Sequence, residues 1–237
     1  MNPNEIASVY KQQQSFFKSG TTRSYEFRIK QLHKLKELII SNEELILKAL
    51  HDDLGKHPLE AYSSEIGTLL QELNHAIQNL RLWMEDKSVP TPLIHQPATS
   101  YIMNDPLGVI LIIAPWNYPF MLCIAPLISS IAAGNCSFIK PSNQTKHTSD
   151  LIQKLISKAF NPEYIYVVEG PGSIVGNQLM NSYRFDHVFF TGSKEIGKEV
   201  MRMAADHLSP VTLELGGKSP AIVTAHVNVN VAAKRII

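Results

Sequence analysis

From Pro106 to Ile139 the chain carries no charged side chain. That is longer than the roughly 20 apolar residues a membrane-crossing helix needs. Pro106, Pro115, Pro119 and Pro126 interrupt it, as do Gly108, Gly134 and Asn117. One uninterrupted span is therefore a poor reading. Parallel strands covered on both faces produce the same signature, because they have no solvent side to mark with charges. The run predicts the centre of a doubly covered, soluble α/β core.

The flanking periodicity agrees. Ile29, Leu32, Leu35, Leu38 and Ile39 recur at helical spacing over 28–40. Ser41-Asn42-Glu43-Glu44 has the form of a capping box, which predicts the Ser41 hydroxyl on the Glu44 amide and a helix to about Leu50. Leu54-Gly55-Lys56-His57-Pro58 breaks that helix. Ile66, Leu69, Leu73, Ile77, Leu80 and Trp83 then form one long amphipathic stripe. Val89-Pro90-Thr91-Pro92 starts an extended segment, and 99–104 reads as a strand. Beyond it, strands at 109–113, 136–140, 164–168, 187–191 and 211–215 alternate with helices. The helices fall at 120–133, 149–160 (capped by Thr148 or Ser149), 174–180 and 194–207. Alternation of this kind predicts right-handed crossovers. The expected fold class is α/β: a doubly wound, mainly parallel sheet with N-terminal helices and the start of a second α/β unit.

Composition excludes several functions. With 22 Lys+Arg against 21 Asp+Glu, and no basic run longer than Lys234-Arg235, no nucleic-acid surface is expected. Two cysteines, Cys123 and Cys136, make no disulfide framework and point to a reducing, cytoplasmic setting. The stretch 1–14 is polar and lacks the apolar segment of a secretory signal. The nine histidines show no ligand spacing, so no metal site is expected.

In open α/β sheets ligands bind at the carboxyl ends of the strands. The residues just past each strand are therefore the candidates. After the first comes Pro115-Trp116-Asn117-Tyr118-Pro119, where a carboxamide can donate to a developing oxyanion or simply cap a helix. After the second comes Lys140-Pro141-Ser142-Asn143, where a lysine can hold ribose hydroxyls or merely leave the sheet. Glu169-Gly170-Pro171-Gly172 reads as a turn. Thr191-Gly192-Ser193-Lys194-Glu195-Ile196-Gly197 opens a helix, whose free amides suit a pyrophosphate but also fit an ordinary strand-to-helix turn. Glu214-Leu215-Gly216-Gly217-Lys218 offers a carboxylate that can activate water or pair with a lysine.

In this order, Ile113-Ala114-Pro115-Trp116-Asn117-Tyr118-Pro119, Lys140-Pro141-Ser142, Phe190-Thr191-Gly192-Ser193 and Leu213-Glu214-Leu215-Gly216-Gly217-Lys218-Ser219-Pro220 resemble the aldehyde dehydrogenase superfamily. The short helical N-terminus and Pro210-Val211-Thr212-Leu213-Glu214 resemble its class 3 branch of fatty and aromatic aldehyde dehydrogenases, N-terminal half only. The resemblance covers about Phe27 to Ile237.

It implies oxidation of an aldehyde to an acid with NAD or NADP through a cysteine thioester. Asn117 would stabilise the oxyanion and Glu214 would activate the hydrolytic water. Lys140 would hold the adenosine ribose, with Gly192, Ser193 and Gly197 around the diphosphate. Trp116, Ser142, Asn143, Leu215 and Gly216 complete the expected cofactor site. The family often has Glu where this chain has Asn143; a neutral residue there implies that NADP is tolerated as well as NAD.

The resemblance further implies a cofactor domain over 1–88 and 107–210, part of a bridging hairpin over 89–106, and the beginning of a catalytic domain over 211–237. It implies a homodimer for the full-length parent. The nucleophilic cysteine is expected past Ile237, so the chain alone is expected to be inactive. Cys123 and Cys136 both read as buried, inert thiols. Two other functions share the glycine and lysine features: a non-catalytic nucleotide-binding module, and a remnant without function. Saturable cofactor binding separates the module from the remnant.

Overall fold

The computed structural model describes residues 3–236. Residues 1, 2 and 237, which the polar N-terminal stretch and the last expected domain include, lie outside the described residues. Helix α1 (Pro3–Lys18) buries Ile6, Val9, Tyr10 and Gln13, the i, i+3, i+4, i+7 face of a helix. The N-terminal third reads as helical from the sequence, but no separate element is delimited over this polar stretch. One of its buried residues is itself polar: the fully buried Gln13 amide donates to the Ser137 carbonyl at 3.1 Å and the Pro162 carbonyl at 3.0 Å.

Helix α2 (Tyr25–Ile40) starts at Ser24, whose hydroxyl accepts the Phe27 amide at 3.1 Å. The expected capping box at Ser41 does not form. Ser41 instead ends α2, and Asn42 precedes α3 (Glu43–Leu54) with its side chain turned back onto the Leu38 carbonyl at 2.7 Å. A two-residue junction leaves Ser41 helical, so its hydroxyl cannot face the next helix. Helix α3 stops at Gly55, in the left-handed region at φ 65. Helix α4 (Pro58–Ala61), a π-helical turn at Tyr62–Ile66 and α5 (Gly67–Trp83) follow without leaving helical backbone. Leu69, Leu73 and Leu80 face the core as their spacing predicts.

Strands β1 (Lys87–Val89) and β2 (Ser100–Ile102) pair antiparallel as a separate two-stranded arm. The chain then alternates through β3 (Val109–Ile113), α6 (Met121–Ala133), β4 (Cys136–Lys140), α7 (Lys146–Ala159) and β5 (Ile165–Val167). A π-helical turn at Gly172–Gly176, α8 (Asn177–Ser182), β6 (His187–Gly192), α9 (Lys194–Asp206), β7 (Val211–Leu215) and α10 (Val229–Ile236) complete it. The second sheet has the order β5-β4-β3-β6-β7, every neighbouring pair parallel. The sheet thus continues past residue 210 into β7.

The uncharged run is the middle of this sheet and the helix covering it. All five residues of β4 are buried, as are the first four of β3, while α6 buries seven of its residues. Among the described residues no helix is long and apolar enough to cross a membrane. Helix α6 ends at Gly134 (φ 85), where an added Cβ would lie 2.6 Å from the Arg28 guanidinium. Arg28 closes that end by donating to the Thr22 carbonyl at 3.0 Å and the Ala132 carbonyl at 3.2 Å.

Helix α7 begins three residues before the expected Ser149. Its first free amides are met from another helix: the Asp53 carboxylate accepts His147 at 3.0 Å and Thr148 at 2.7 Å. Thr148 and Ser149 are consequently buried inside the helix and cap nothing.

Candidate functional site

Crossovers from β3 lead to β4 on one side, while β6 and β7 lie on the other. Loops leaving β3 and β6 therefore diverge, which opens a crevice at the carboxyl edge of the sheet. A cleft of about 1400 Å³ occupies that place, walled by α5 and α6. Trp116, Asn117, Lys140, Ser142, Asn143, Gly192, Ser193, Glu214, Leu215 and Gly216 all line it.

Gly197 does not line the cleft. It is buried in α9, where an added Cβ would come within 2.7 Å of Leu215 Cδ2, so its bareness lets the helix close on β7. Gly172 and Ser173, from the loop that the sequence reads as a mere turn, do line the cleft.

Each loop has a local reason for its shape. Past β4, Lys140 is only 2 % exposed, and its ammonium donates to the Pro141 carbonyl at 2.8 Å. Among the described residues no carboxylate pairs with it. Burial pulls its pKa below the ordinary lysine value, against a smaller opposing pull from Cys123. A buried ammonium with spare donors is costly unless something accepts from it. Past β6, Gly192 sits so close to the Phe190 ring that a Cβ would be 2.6 Å from it. Ser193 then caps α9, its hydroxyl accepting the Ile196 amide at 3.3 Å. The partial positive end of α9 faces the cleft at that serine.

Asn117 lies on the loop between β3 and α6 with its side chain exposed to the cleft. Its backbone is held by two side chains that lie outside the cleft lining. Lys56, 8 % exposed, donates from Nζ to the Asn117 carbonyl at 3.0 Å and to Glu65 Oε1 at 2.6 Å. Glu65, fully buried, accepts the Phe120 and Met121 amides on Oε2 at 2.9 and 3.1 Å. Neither residue was a candidate from the sequence. Lys56 sits in a helix-breaking pentad, and Glu65 sits one residue before the apolar stripe begins; nothing in their spacing marks them as buried.

The two thiols are unsuited to attack. Cys123 and Cys136 are both buried. Burial pushes the Cys123 thiol far above its ordinary value and Cys136 up to about 12. No group of three or more metal-ligating side chains exists among the described residues.

A doubly wound sheet with a deep crevice at its switch point, a buried ammonium and a capped helix N-terminus defines a nucleotide-cofactor type of α/β protein. The description of the aldehyde dehydrogenase family matches residues 1–237, and the chain belongs to that family. It is 46% identical over 233 residues to 4,4'-diaponeurosporen-aldehyde dehydrogenase of Staphylococcus aureus, covering 98% of this chain and 50% of that protein. It is 42% identical to the dimeric NADP-preferring aldehyde dehydrogenase of Rattus norvegicus, covering 98% of this chain and 51% of that one. The NAD+ complex of an aldehyde dehydrogenase from Bacillus cereus superposes with a TM-score of 0.83 at 28% identity, covering 98% of this chain and 47% of that one. Relatives named as family 3 members are also among the matches. The chain spans about half the length of the curated relatives it matches. Enzymes of this family use NAD or NADP.

Proposed function

We propose that the whole protein oxidises an aldehyde to a carboxylic acid with NAD or NADP through a cysteine thioester, and that this chain supplies the cofactor site and two catalytic side chains. The observation that carries the reading is Lys140: a nearly fully buried ammonium without a carboxylate, opening onto the crevice. Ribose hydroxyls would give it acceptors. Gly192 and Ser193 would take the diphosphate on the N-terminus of α9, with Trp116, Ser142, Asn143, Leu215 and Gly216 around the nucleotide. Gly197 would contribute indirectly, by closing α9 on β7. The bound cofactor would supply the hydride acceptor.

The Asn117 carboxamide would donate to the oxyanion formed when a thiolate adds to the aldehyde. Glu214 would take a proton from the water that hydrolyses the thioester. The attacking thiol would come from neither Cys123 nor Cys136, since burial keeps both protonated. It would come from the part of the relatives' length that this chain does not span.

The proposed division is 1–88 and 107–210 for the cofactor, 89–106 for a bridging arm, and 211–237 for the start of the catalytic part, with β7 shared between the first and the last. The arm exposes Leu93, Ile94, Tyr101 and Ile102, which suits burial in a homodimer. Two free, buried thiols support a reducing setting such as the cytoplasm.

A fluorescence titration of residues 1–237 tests the cofactor site. Saturable binding of NAD and of NADP is expected, with similar affinities because Asn143 brings no negative charge against a 2′-phosphate. Lys140→Met should weaken both about 10-fold or more, the scale of a lost charged hydrogen bond. No aldehyde turnover should accompany binding. Absence of saturable binding would overturn the cofactor site, and a large NAD preference would overturn the role given to Asn143.

A further inference from the structure

A buried ion pair seldom stabilises a fold on balance, because removing two charges from water costs about as much as their attraction returns. The pair Lys56–Glu65, at 2.6 Å and 8 % and 0 % exposed side chains, therefore calls for a reason beyond stability. Its bonds all converge on one short stretch. Glu65 Oε2 takes the Phe120 and Met121 amides, which are the opening amides of α6. Lys56 Nζ donates to the Asn117 carbonyl and lies 4.0 Å from the centroid of the Tyr118 ring. One charge pair from the helical wall thus grips both the carbonyl of residue 117 and the amides of residues 120 and 121. Between those grips the chain has no helix or strand of its own, and the Tyr118 carbonyl is tied to α6 through the Leu122 amide at 2.9 Å while the Asn117 carbonyl depends on Lys56.

A loop without internal ladder bonds drifts unless something outside fixes it. Oxyanion stabilisation tolerates little drift, because the donor must meet the oxygen at about 2.7–3.1 Å. A misplacement of about 1 Å can cost about 10²-fold in rate. The geometry points to Lys56 and Glu65 as positioning residues: they hold the Asn117 peptide so that its carboxamide is aimed into the cleft. Neither side chain lines the cleft itself, so both would act through Asn117. This inference rests on the proposed oxyanion role of Asn117.

The test is a double-mutant cycle in the full-length enzyme, with Asn117→Ala, Lys56→Met and both together. Lys56→Met should lower kcat about 10- to 100-fold while leaving the dissociation constants for NAD and NADP within about two-fold. In the Asn117→Ala background the same change should cost less than about three-fold, because there is no carboxamide left to aim. Lys56→Arg, which keeps a donor for both the carboxylate and the carbonyl, should restore most of the loss. Glu65→Gln, which keeps the shape and one acceptor, should reproduce the kcat loss with weakened restoration by Lys56→Arg.

If Asn117→Ala itself leaves kcat unchanged, the oxyanion reading fails and this inference fails with it. If Asn117→Ala lowers kcat but Lys56→Met and Glu65→Gln do not, only the positioning role is overturned. Equal losses from Lys56→Met in both backgrounds would also overturn it, since the lysine would then act independently of the carboxamide. Should Lys56→Met fold poorly, Glu65→Gln carries the same cycle, and additive effects of Glu65→Gln and Asn117→Ala would refute the coupling.

Discussion

Replacing Asn117 with alanine in the full-length enzyme should lower kcat by about 10²–10³-fold, the scale of one lost oxyanion donor. Binding of the aldehyde and of the cofactor should change little, because the donor gains its value only as charge develops on oxygen. The loop itself should survive. Its anchors are backbone groups, the Asn117 carbonyl and the Phe120 and Met121 amides, and alanine keeps them all. Asn117→Asp is the informative companion. It preserves size but replaces a donor by a negative charge facing an oxyanion, so it should be at least as damaging as alanine. Steady-state kinetics of both variants, with cofactor dissociation constants measured separately, check the expectation. A kcat within about three-fold of the parent would remove Asn117 from the chemistry.

What the sequence made legible, and what it did not, divides along a physical line. Positions at strand ends are fixed by topology. Once alternation implies a parallel sheet, Asn117, Lys140, Gly192, Ser193 and Glu214 must share one edge, and all five line a single cleft. The uncharged run was legible for the same reason, since covered strands cannot carry charges. Features set by tertiary contact were not. Ser41 has the letters of a capping box but stands where one helix meets the next, and the cap of α7 comes from Asp53 on a distant helix. The N-terminal third reads as helical, but the bounds and buried face of α1 did not show, because Gln13, a polar residue, occupies that face and spends its amide on two carbonyls. Lys56 and Glu65 were hidden by the general rule that charges lie outside, a rule suspended where two opposite charges and three backbone groups satisfy one another.

The same hidden helix sets the largest expected effect on stability. Phe138 is fully buried in β4 and forms the floor on which α1 rests. Its ring centroid lies 6.3 Å from Tyr10, 5.4 Å from Tyr166 and 5.6 Å from Phe185. Tyr10 in turn packs on Phe185 at 5.6 Å and Tyr183 at 4.8 Å, and its hydroxyl donates to the Arg184 carbonyl. Removing the central ring leaves a cavity between a buried strand and an aromatic cluster whose stiff rings refill space poorly. Phe138→Ala should therefore cost about 3–5 kcal/mol, at the high end for a core truncation. For a domain of this size that corresponds to a fall in Tm on the order of 10 °C. Tyr10→Phe, which keeps the ring but loses the hydroxyl's bond to the Arg184 carbonyl and the one it accepts from the Gln14 amide at 3.2 Å, should cost about 1–2 kcal/mol. Urea unfolding of residues 1–237 followed by far-UV circular dichroism measures both. A loss below about 1.5 kcal/mol for Phe138→Ala would mean that α1 is only loosely seated and can follow the shrinking floor. A large loss with an unchanged denaturant slope would mean that α1 and the sheet unfold as one unit. That second outcome is the one expected, because Gln13 ties α1 to the carbonyl of Ser137, the residue next to Phe138, and the helix cannot lift from the ring without breaking that bond.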